Sequence, residues 1–524
     1  MREFNTAGPC DPERHYMVPA EPRLPAARGL VARHLYFVVH APRQTGKTTT
    51  LRALARSLAA EGTFAAVHFS CEAGEAAGDD YGAAERMVLC EIGRGAARDL
   101  PAEFRPPPWP SAPPGQQLGS ALAAWAAACP RPLALFFDEI DALRGESLRS
   151  VLRQLRAGYP NRPAGFPASV VLCGLRDVRD YKAASGGDPS RLGTSSPFNI
   201  KIESLRLGDF SAGEVRALYG QHTAATGQPF TDEAMGRAFE LTQGQPWLAN
   251  ALAREVIEKL GVAPPLPITV DHLDEAKERL ILARQTHLDS LVARLLEPRV
   301  RAIIEPVLSG SYHGGDTYED DFQHVRDLGL VAPTPPARIA NPIYREVIAR
   351  VLAASAELRL PVEPQRFVRQ GGRLDLRLLL EDFAAFWREH GEVLAGGMPY
   401  HEVAPQLVLM AFLQRVVNGG GYLDREYGVG RGRIDLLLRW PYPGPAGRRE
   451  WQREALELKV WAAARPDPLP KGLEQLDAYL AGLGLVRGVL VIFDRRPEAD
   501  PLAERTRFEE ARSPGGRAVT VLRA

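Results

Sequence analysis

Residues 35–48 read Leu-Tyr-Phe-Val-Val-His-Ala-Pro-Arg-Gln-Thr-Gly-Lys-Thr. The apolar run at 35–41 predicts a buried strand, and the stretch from Thr48 to Ala60 predicts a helix. A glycine-containing turn between a buried strand and a helix directs backbone N–H groups at phosphate oxygens, and the helix N-terminus adds positive potential. This segment therefore predicts a phosphate-binding loop within an α/β fold.

The loop departs at one position from the usual pattern G-x-x-x-x-G-K-S/T, because its first residue is Ala41. Alanine resists positive φ, so we expect a slightly different backbone at the start of the loop. Lys47 is expected to reach the β- and γ-phosphates of ATP, and the Thr48 hydroxyl is expected to bind Mg²⁺. The other residues expected at the nucleotide are Arg43, Gln44, Thr45, Gly46 and Thr49.

Two adjacent acids follow a second apolar run, Leu133–Phe137, which predicts a buried strand. Asp138 is expected to hold Mg²⁺ through water beside the phosphate loop, and Glu139 to polarise the attacking water. A helix N-cap is the other interpretation of this acidic pair. Arg176 follows a further strand and is a candidate sensor of the γ-phosphate, with a structural surface arginine as the alternative.

Strand signals alternate with helix signals up to Leu207, which predicts a parallel sheet with helices on both faces. Beyond that point the pattern is helical until a second α/β segment begins near Pro399. The predicted divisions are a P-loop ATPase core at 1–207, a helical lid at 208–298, a winged helix at 299–358, a linker helix at 359–397 and a second α/β domain at 398–524.

Four segments together resemble the AAA-like ATPases related to the archaeal-ATPase and STAND group. They are residues 41–48, 138–139, 174–177 and 242–247, and the resemblance covers roughly residues 1–355. It implies that Gly244-Gln-Pro246 lies in a helical lid and that this element, including Pro246, contacts bound nucleotide. It also implies that the segment from Phe4 to Pro25 lies near the adenine.

A second group of polar residues lies near the C-terminus. Glu457 and Lys459 are two apart in the predicted strand 453–460, so both side chains leave the same face. If that strand forms a hairpin with the predicted strand 433–440, Asp435 lies close to Glu457. Two carboxylates suit a hard Mg²⁺, which lowers the pKa of bound water. Lys459 is then expected to orient that water or to shield a scissile phosphate.

This order of residues resembles the PD-(D/E)xK nucleases, whose fold is restriction-endonuclease-like. The resemblance makes Asp435 the first acid and Glu457-x-Lys459 the second element, with Glu402 as an additional acid that contributes to the metal site. Gln475 on the following helix is similar to the glutamine of the family's helix motif. The alternative is a strand ion pair on a solvated face, because E-x-K alone is common.

Net charge and cysteine content limit the kinds of binding site that the chain is expected to contain. The formal net charge of the 524 residues is zero, so nucleic-acid binding requires a local patch. Arg425, Arg431 and Arg433 are candidates for gripping phosphates, with a solvated basic loop as the alternative. Only seven of the 64 basic residues are lysine, and two of these are Lys47 and Lys459. The five scattered cysteines favour neither a disulfide framework nor a zinc site.

The sequence thus predicts an ATPase joined to a metal-dependent nuclease, with ATP and Mg²⁺ as cofactors. Nucleic acid, DNA by preference, is the expected partner of the C-terminal domain, and a homo-oligomer or a partner protein is also considered. The lack of an apolar export or spanning segment predicts a cytoplasmic protein with no membrane association. A role in bacterial defence is suggested by analogy alone. The alternatives are a non-cleaving nucleotide-gated binding or signalling module, and a DNA translocase.

Overall fold

The computed structural model divides into two compact units, an N-terminal unit of Met1–Ala283 with Arg326–Gly329 and a C-terminal unit of Arg284–Val325 with Leu330–Ala524. The structure describes residues 2–175, 203–283, 288, 291, 293–295, 297–309, 312, 320–357, 364–397, 404–417, 420–429, 432–444, 448–461, 466–496 and 498–524.

The N-terminal unit is built on a five-stranded parallel sheet in the order β2-β3-β4-β1-β5. Its strands are β1 (Tyr36–His40), β2 (Ala65–Ser70), β3 (Leu133–Asp138), β4 (Ser169–Gly174) and β5 (Glu203–Arg206). The first four are almost entirely buried, as continuous apolar runs require when both faces of a parallel sheet are covered. The predicted parallel sheet is therefore confirmed.

Helices cover this sheet on both sides, and their bounds are α1 (Pro25–Ala32), α2 (Lys47–Ala60), α3 (Tyr81–Asp99), α4 (Gln117–Ala128) and α5 (Gly145–Gly158). One apolar cluster joins α1 and α2 to the side chains of Phe37 and Val39. A second cluster joins α3, α4 and α5 to Tyr36 and Val38 on the opposite face. The strand that precedes the phosphate loop is thus fixed by packing from both sides.

Four helices follow β5 in the N-terminal unit: α6 (Ala212–Thr226), α7 (Asp232–Thr242), α8 (Pro246–Arg254) and α9 (Val270–Leu282). A capping box at Ser211 and Glu214 starts α6, and Pro246 occupies the first turn of α8. The backbone N–H of Phe210 donates to the Gly244 carbonyl at 2.8 Å. This bond ties the start of the helical group to the start of α8.

The C-terminal unit begins with helical segments, α10 (Pro298–Ser309), α11 (Asp320–Asp327), α12 (Pro342–Glu357), α13 (Leu376–Gly397) and α14 (Ala404–Val417). The last two residues of α11 belong to the N-terminal unit. An isolated antiparallel bridge pairs Val331 with Ile339 between α11 and α12. None of the helices in the described part of the chain is both long and apolar enough to cross a bilayer.

A six-stranded mixed sheet forms the rest of the C-terminal unit, in the order β10-β11-β9-β8-β7-β6. Its elements are β6 (Tyr422–Val429), β7 (Gly432–Pro443), β8 (Arg449–Trp461), α15 (Leu469–Leu483), β9 (Arg487–Asp494), α16 (Leu502–Arg505), β10 (Arg507–Arg512) and β11 (Ala518–Arg523). The sheet does not end at β9, because β11 pairs with β9 and β10 pairs with β11.

The predicted hairpin is confirmed, since β7 and β8 pair antiparallel with Leu436 opposite Leu456. Helix α15 covers one face of the sheet through an apolar cluster that includes Leu437, Ala455, Leu476 and Leu490. The other face contacts α13, where the Trp387 ring lies 5.6 Å from the ring of Phe493. The central residues of both hairpin strands, including Leu436, Leu437, Ala455 and Leu456, are buried.

Candidate functional site

The phosphate-loop segment connects β1 directly to α2. Gly46 has φ +88° and forms the N-cap of α2, while Gln44 has φ +59°. Ala41 has no positive φ and its N–H points to the Gly174 carbonyl at 3.4 Å. The loop residues with positive φ are therefore Gln44 and Gly46, and the first residue is not one of them. Alanine at position 41 causes no backbone strain.

Lys47 folds back over the start of the loop. Its ammonium group donates to the carbonyls of Ala41 and Pro42, each at 2.8 Å. The Thr45 hydroxyl also donates to the Pro42 carbonyl, at 2.9 Å. A phosphate group would compete with these neutral carbonyls for the ammonium, because a hydrogen bond between two charged groups is stronger. Arg43 and Gln44 are exposed, and Gln44 lines the cavity beside the loop.

Asp138 lies at the carboxyl end of β3, beside the helix that follows the loop. It is 1 % exposed, and its Oδ2 lies 3.0 Å from His68 Nε2. Burial alone would raise the pKa of Asp138, but the hydrogen bonds and charge of His68, together with the bond from Thr48, outweigh burial and lower that pKa. The two predicted Mg²⁺ ligands of the nucleotide site, Thr48 and Asp138, are thus close enough for Thr48 to lower the pKa of Asp138.

Glu139 adopts a left-handed conformation with φ +54°, which turns its side chain away from β3. Its Oε2 accepts a hydrogen bond from the Ser70 hydroxyl at 2.5 Å. Burial raises the pKa of Glu139, and the neighbouring carboxylates of Asp138 and Glu72 act in the same direction. A carboxyl group with a raised pKa suits proton transfer from water.

A cavity of about 120 Å³ opens beside the loop and α2. The residues that line it come from three segments, the N-terminal stretch, the phosphate loop with α2, and the helical group; they include Tyr16, Met17, Gly46, Thr49, Pro246 and Trp247. The Trp247 indole donates to the Thr6 carbonyl at 2.9 Å, and the Cys10 N–H donates to the Thr49 hydroxyl at 3.0 Å. The expected lead-in at 4–25 and the expected lid residue Pro246 therefore border one cavity with the loop.

Arg23 borders the same cavity, although no motif in the sequence singles it out. Its guanidinium donates to the carbonyls of Thr45 at 3.0 Å and Gly208 at 2.6 Å. It also lies over the Phe210 ring, 4.7 Å from the ring centroid. Burial lowers the pKa of Arg23, against the opposing charges of Glu214 and Asp209. Arg23 thus joins the phosphate loop to the start of the helical group.

The C-terminal candidates lie on adjacent strands. The β7–β8 register ends with Leu436 opposite Leu456, and Asp435 and Glu457 are the next residues of the two strands. The Leu458 N–H donates to Asp435 Oδ2 at 2.7 Å, and Lys459 Nζ donates to Glu457 Oε1 at 2.5 Å. The structure therefore brings together the three residues that the hairpin hypothesis required to be close.

Glu457 is the most perturbed of these groups. It is 2 % exposed, and its second oxygen, Oε2, is buried without a hydrogen-bond partner. Burial raises the pKa of Glu457 to about 7, the charge of Asp435 adds to this effect, and Lys459 opposes it. A buried, incompletely paired carboxylate next to another acid is a favourable place for a cation.

Gln475 lies on α15, one residue before Leu476, which packs in the same apolar cluster as Leu437 and Ala455. Alternation along the strands sets Asp435, Glu457 and Lys459 on this face of the sheet. Gln475 Oε1 is also buried without a partner. Carboxylate and amide oxygens are the donors that Mg²⁺ accepts, so the donor chemistry fits this ion.

Two predicted site residues, Arg176 and Glu402, lie outside the described residues. Among the residues that the structure does describe, no group of three or more His, Cys, Asp or Glu side chains could hold a metal ion. Arg431 also lies outside them. Arg425 is buried, pairs with Glu346 and donates to the Met410 sulfur at 3.0 Å, so the suggestion that it grips phosphate is wrong.

No protein-family model matches the chain, and no curated protein matches it. Solved structures do resemble it. The Walker-type ATPase PABY2304 of Pyrococcus abyssi is 13% identical, with 66% of this chain and 99% of that chain covered and a TM-score of 0.45. The Aeropyrum pernix ORC2 protein, in ADPNP–ADP complexes, is 15% identical, with 64% and 92% covered and a TM-score of 0.37.

A third similar structure is the Thermotoga maritima RuvB Holliday junction branch migration motor. It is 16% identical, with 62% of this chain and 91% of that chain covered and a TM-score of 0.32. At these identities and TM-scores, the likenesses assign no function to this chain.

Proposed function

We propose that this chain binds and hydrolyses ATP at its phosphate loop, and that its nucleotide state regulates a Mg²⁺-dependent nucleic-acid phosphodiesterase in the C-terminal unit. The observation that carries the second part is the grouping of Asp435, Glu457 and Lys459 on one face of the β7–β8 hairpin, beneath α15. A structural ion pair alone does not require a second acid beside a buried carboxylate.

The nucleotide half of the proposal assigns a role to each residue of the loop. Lys47 exchanges the carbonyls of Ala41 and Pro42 for the β- and γ-phosphates of ATP. Thr48 and Asp138 would hold Mg²⁺, and Thr48 already lowers the pKa of the Asp138 carboxyl group. Glu139, held by Ser70, orients the attacking water. In this proposal the core is AAA-like, residues 208–298 form its lid and residues 299–358 a winged helix.

The C-terminal half makes 398–524 a restriction-endonuclease-like domain of the PD-(D/E)xK type that binds DNA. Asp435 and Glu457 would hold Mg²⁺, with Glu402 as a further acid. The bound ion supplies a water of lowered pKa and neutralises developing negative charge. Lys459, which now donates to Glu457 Oε1, would orient the attacking water or shield the scissile phosphate. Gln475 would contribute its buried amide oxygen to the same cluster of side chains.

Plasmid DNA with Mg²⁺ tests this half directly. Lys459→Ala should lower the cleavage rate by about 100-fold or more, because it removes a preorganised charge from the transition state. Lys471→Ala is the matched control, since Lys471 is an exposed lysine on α15. Cleavage that persists in Lys459→Ala removes the site assignment.

The regulatory half needs ATP as the variable. We expect ATP to change the cleavage rate of the wild-type chain and of Lys259→Ala, an exposed control lysine. Lys47→Ala should abolish that change while leaving the rate without ATP as it is. An identical response to ATP in Lys47→Ala and in the wild type would contradict regulation through the phosphate loop.

A second candidate function is favoured by one observation. Lys459 and Glu457 form an ion pair, and Asp435 accepts from the Leu458 N–H, so each of the three groups already has a bond within the protein. A nucleotide-gated DNA-binding or signalling ATPase that does not cut would use them in this way. Tight ATP binding without any DNA product in Mg²⁺ or Mn²⁺ would support this candidate over the first.

A further inference from the structure

A second cavity of the N-terminal unit, of about 490 Å³, shares none of its lining residues with the cavity beside the phosphate loop. It lies between α2, β2, the end of α3 and the loop that follows. We call it the arginine cavity, and its defining residues are Arg52, Arg56, His68, Arg98, Phe104 and Arg131. Its volume is in the range of small-molecule sites, about 300–1,000 Å³.

Positive charge is concentrated in this cavity. Four arginines line it against one acid, Asp99, which is already paired with Arg98. Burial lowers the pKa of Arg52, and the charges of Arg98 and Arg56 lower it further. The Nε of Arg52 is buried without a hydrogen-bond partner. Cations that repel one another across a concave surface are stabilised by an anion between them.

The base of the cavity is a buried histidine. His68 is 3 % exposed, and its Nε2 lies against Asp138 while its Nδ1 is buried with no partner. Arg98 donates to the His68 carbonyl at 3.0 Å. A buried ring nitrogen without a partner is costly unless a ligand atom meets it. The same histidine therefore borders this cavity and contacts a residue of the proposed nucleotide site.

The walls indicate the class of ligand. Guanidinium groups recognise phosphate by paired hydrogen bonds, and several converge here. Phe64, Leu100 and Phe104 supply an apolar wall, and Arg131 lies 4.2 Å from the Phe104 ring centroid. We infer that the arginine cavity binds a small organic phosphate, with its phosphate among the arginines and its apolar part against Phe104.

Inorganic pyrophosphate is the probe, and calorimetric titration of the full-length Lys47→Ala chain measures its binding with the phosphate loop disabled. We expect one saturable site that Arg52→Gln and Arg56→Gln each weaken by about tenfold or more, as loss of a charged hydrogen bond implies. Arg94→Gln should leave the affinity within about twofold, because Arg94 on α3 is 71 % exposed, pairs with Glu91 and does not line the cavity.

Unchanged affinity in Arg52→Gln and Arg56→Gln would overturn the inference, and so would an equal loss in Arg94→Gln. If Arg52→Gln and Arg56→Gln weaken DNA binding but not pyrophosphate binding, the arginine cavity is part of a nucleic-acid-binding surface and the inference is wrong. If a variant melts at a much lower temperature, phenylglyoxal labelling of the unsubstituted chain decides. Pyrophosphate should lower the labelling of Arg56 more than that of Arg94. If pyrophosphate protects the two residues equally, or neither of them, the proposal is wrong.

Discussion

Lys459 Nζ donates to one oxygen of Glu457 at 2.5 Å, while the other oxygen of that carboxylate is buried without a partner. Asp435 adds a second negative charge beside it. The C-terminal unit thus holds a carboxyl group in surroundings that disfavour its ionised form. A buried carboxylate of this kind lowers the free energy of unfolding of the protein. Functional sites, including those that bind cations, often contain such destabilising groups.

Glu457→Gln should stabilise the metal-free protein above neutral pH. The pKa of a glutamate in an unfolded chain is about 4.3, and in the folded protein that of Glu457 is raised to about 7. The folded chain therefore binds the extra proton between these values, and stability falls as the pH rises through this window. The loss should reach about 2–3 kcal/mol near pH 8. Urea unfolding in EDTA at pH 5 and pH 8 measures it.

Glu454→Gln is the control for that experiment, because Glu454 lies on the same strand but is hydrogen-bonded by Gln452 and Arg487. It should gain no stability at pH 8. If the difference between Glu457→Gln and the wild type is the same at pH 5 and pH 8, the raised pKa of Glu457 is refuted.

Sequence alone could predict the phosphate loop because its strand and helix are local, strongly apolar elements. β1 and α2 begin within one residue of their expected positions. Strand β10 carries no apolar signal, because four of the six residues in Arg507–Arg512 are charged and the strand lies at the sheet edge, where such residues are common. No apolar run marks an edge strand of this kind. Strand β11 lies inside the sheet, and its alternating apolar residues were an available signal.

The convergence of Asp435 with Glu457 could be stated from sequence only on the condition of a hairpin, which supplies the register. His68 and Arg23 could not be predicted, since their partners Asp138 and Thr45 are 70 and 22 residues away. A polar residue within the buried run Ala65–Ser70 was the available signal for His68. Nothing local indicated that Arg425 would be buried against Glu346.

Restoring the usual glycine at the start of the phosphate loop should not improve nucleotide binding. Ala41 has no positive φ and is buried beside β4, so Ala41→Gly relieves no strain. It adds freedom to the unfolded chain and should lower stability by about 0.5–1 kcal/mol. ATP titration and thermal unfolding measure the two effects, and an ATP affinity more than tenfold tighter would contradict this description of the loop.

His68→Ala should destabilise the N-terminal unit and weaken Mg²⁺-dependent nucleotide binding. The substitution leaves the buried Asp138 carboxylate without its histidine partner, which costs about 1–3 kcal/mol. It also raises the pKa of Asp138, whose lowering depends on His68. Denaturant unfolding and ADP titration with and without Mg²⁺ report the two effects. His68→Gln, which retains a hydrogen-bond donor, should recover part of both; no difference between the two variants would argue against a role for the His68–Asp138 bond.

Gly244→Ala should weaken ATP binding through the helical group. Gly244 has φ +78°, and a Cβ atom there would lie 1.8 Å from the Phe210 carbonyl oxygen, so the backbone bond between these residues must break. Pro246, which lines the cavity beside the phosphate loop, then loses its position. Gly227→Ala is the matched control, because its φ is +74° but nothing lies within 4 Å of the added atom. Both variants share the cost of a left-handed alanine, about 1 kcal/mol. Only Gly244→Ala should lower ATP affinity, by about tenfold or more, and an equal loss in both variants would show that strain at glycine, not the Phe210 contact, controls the site.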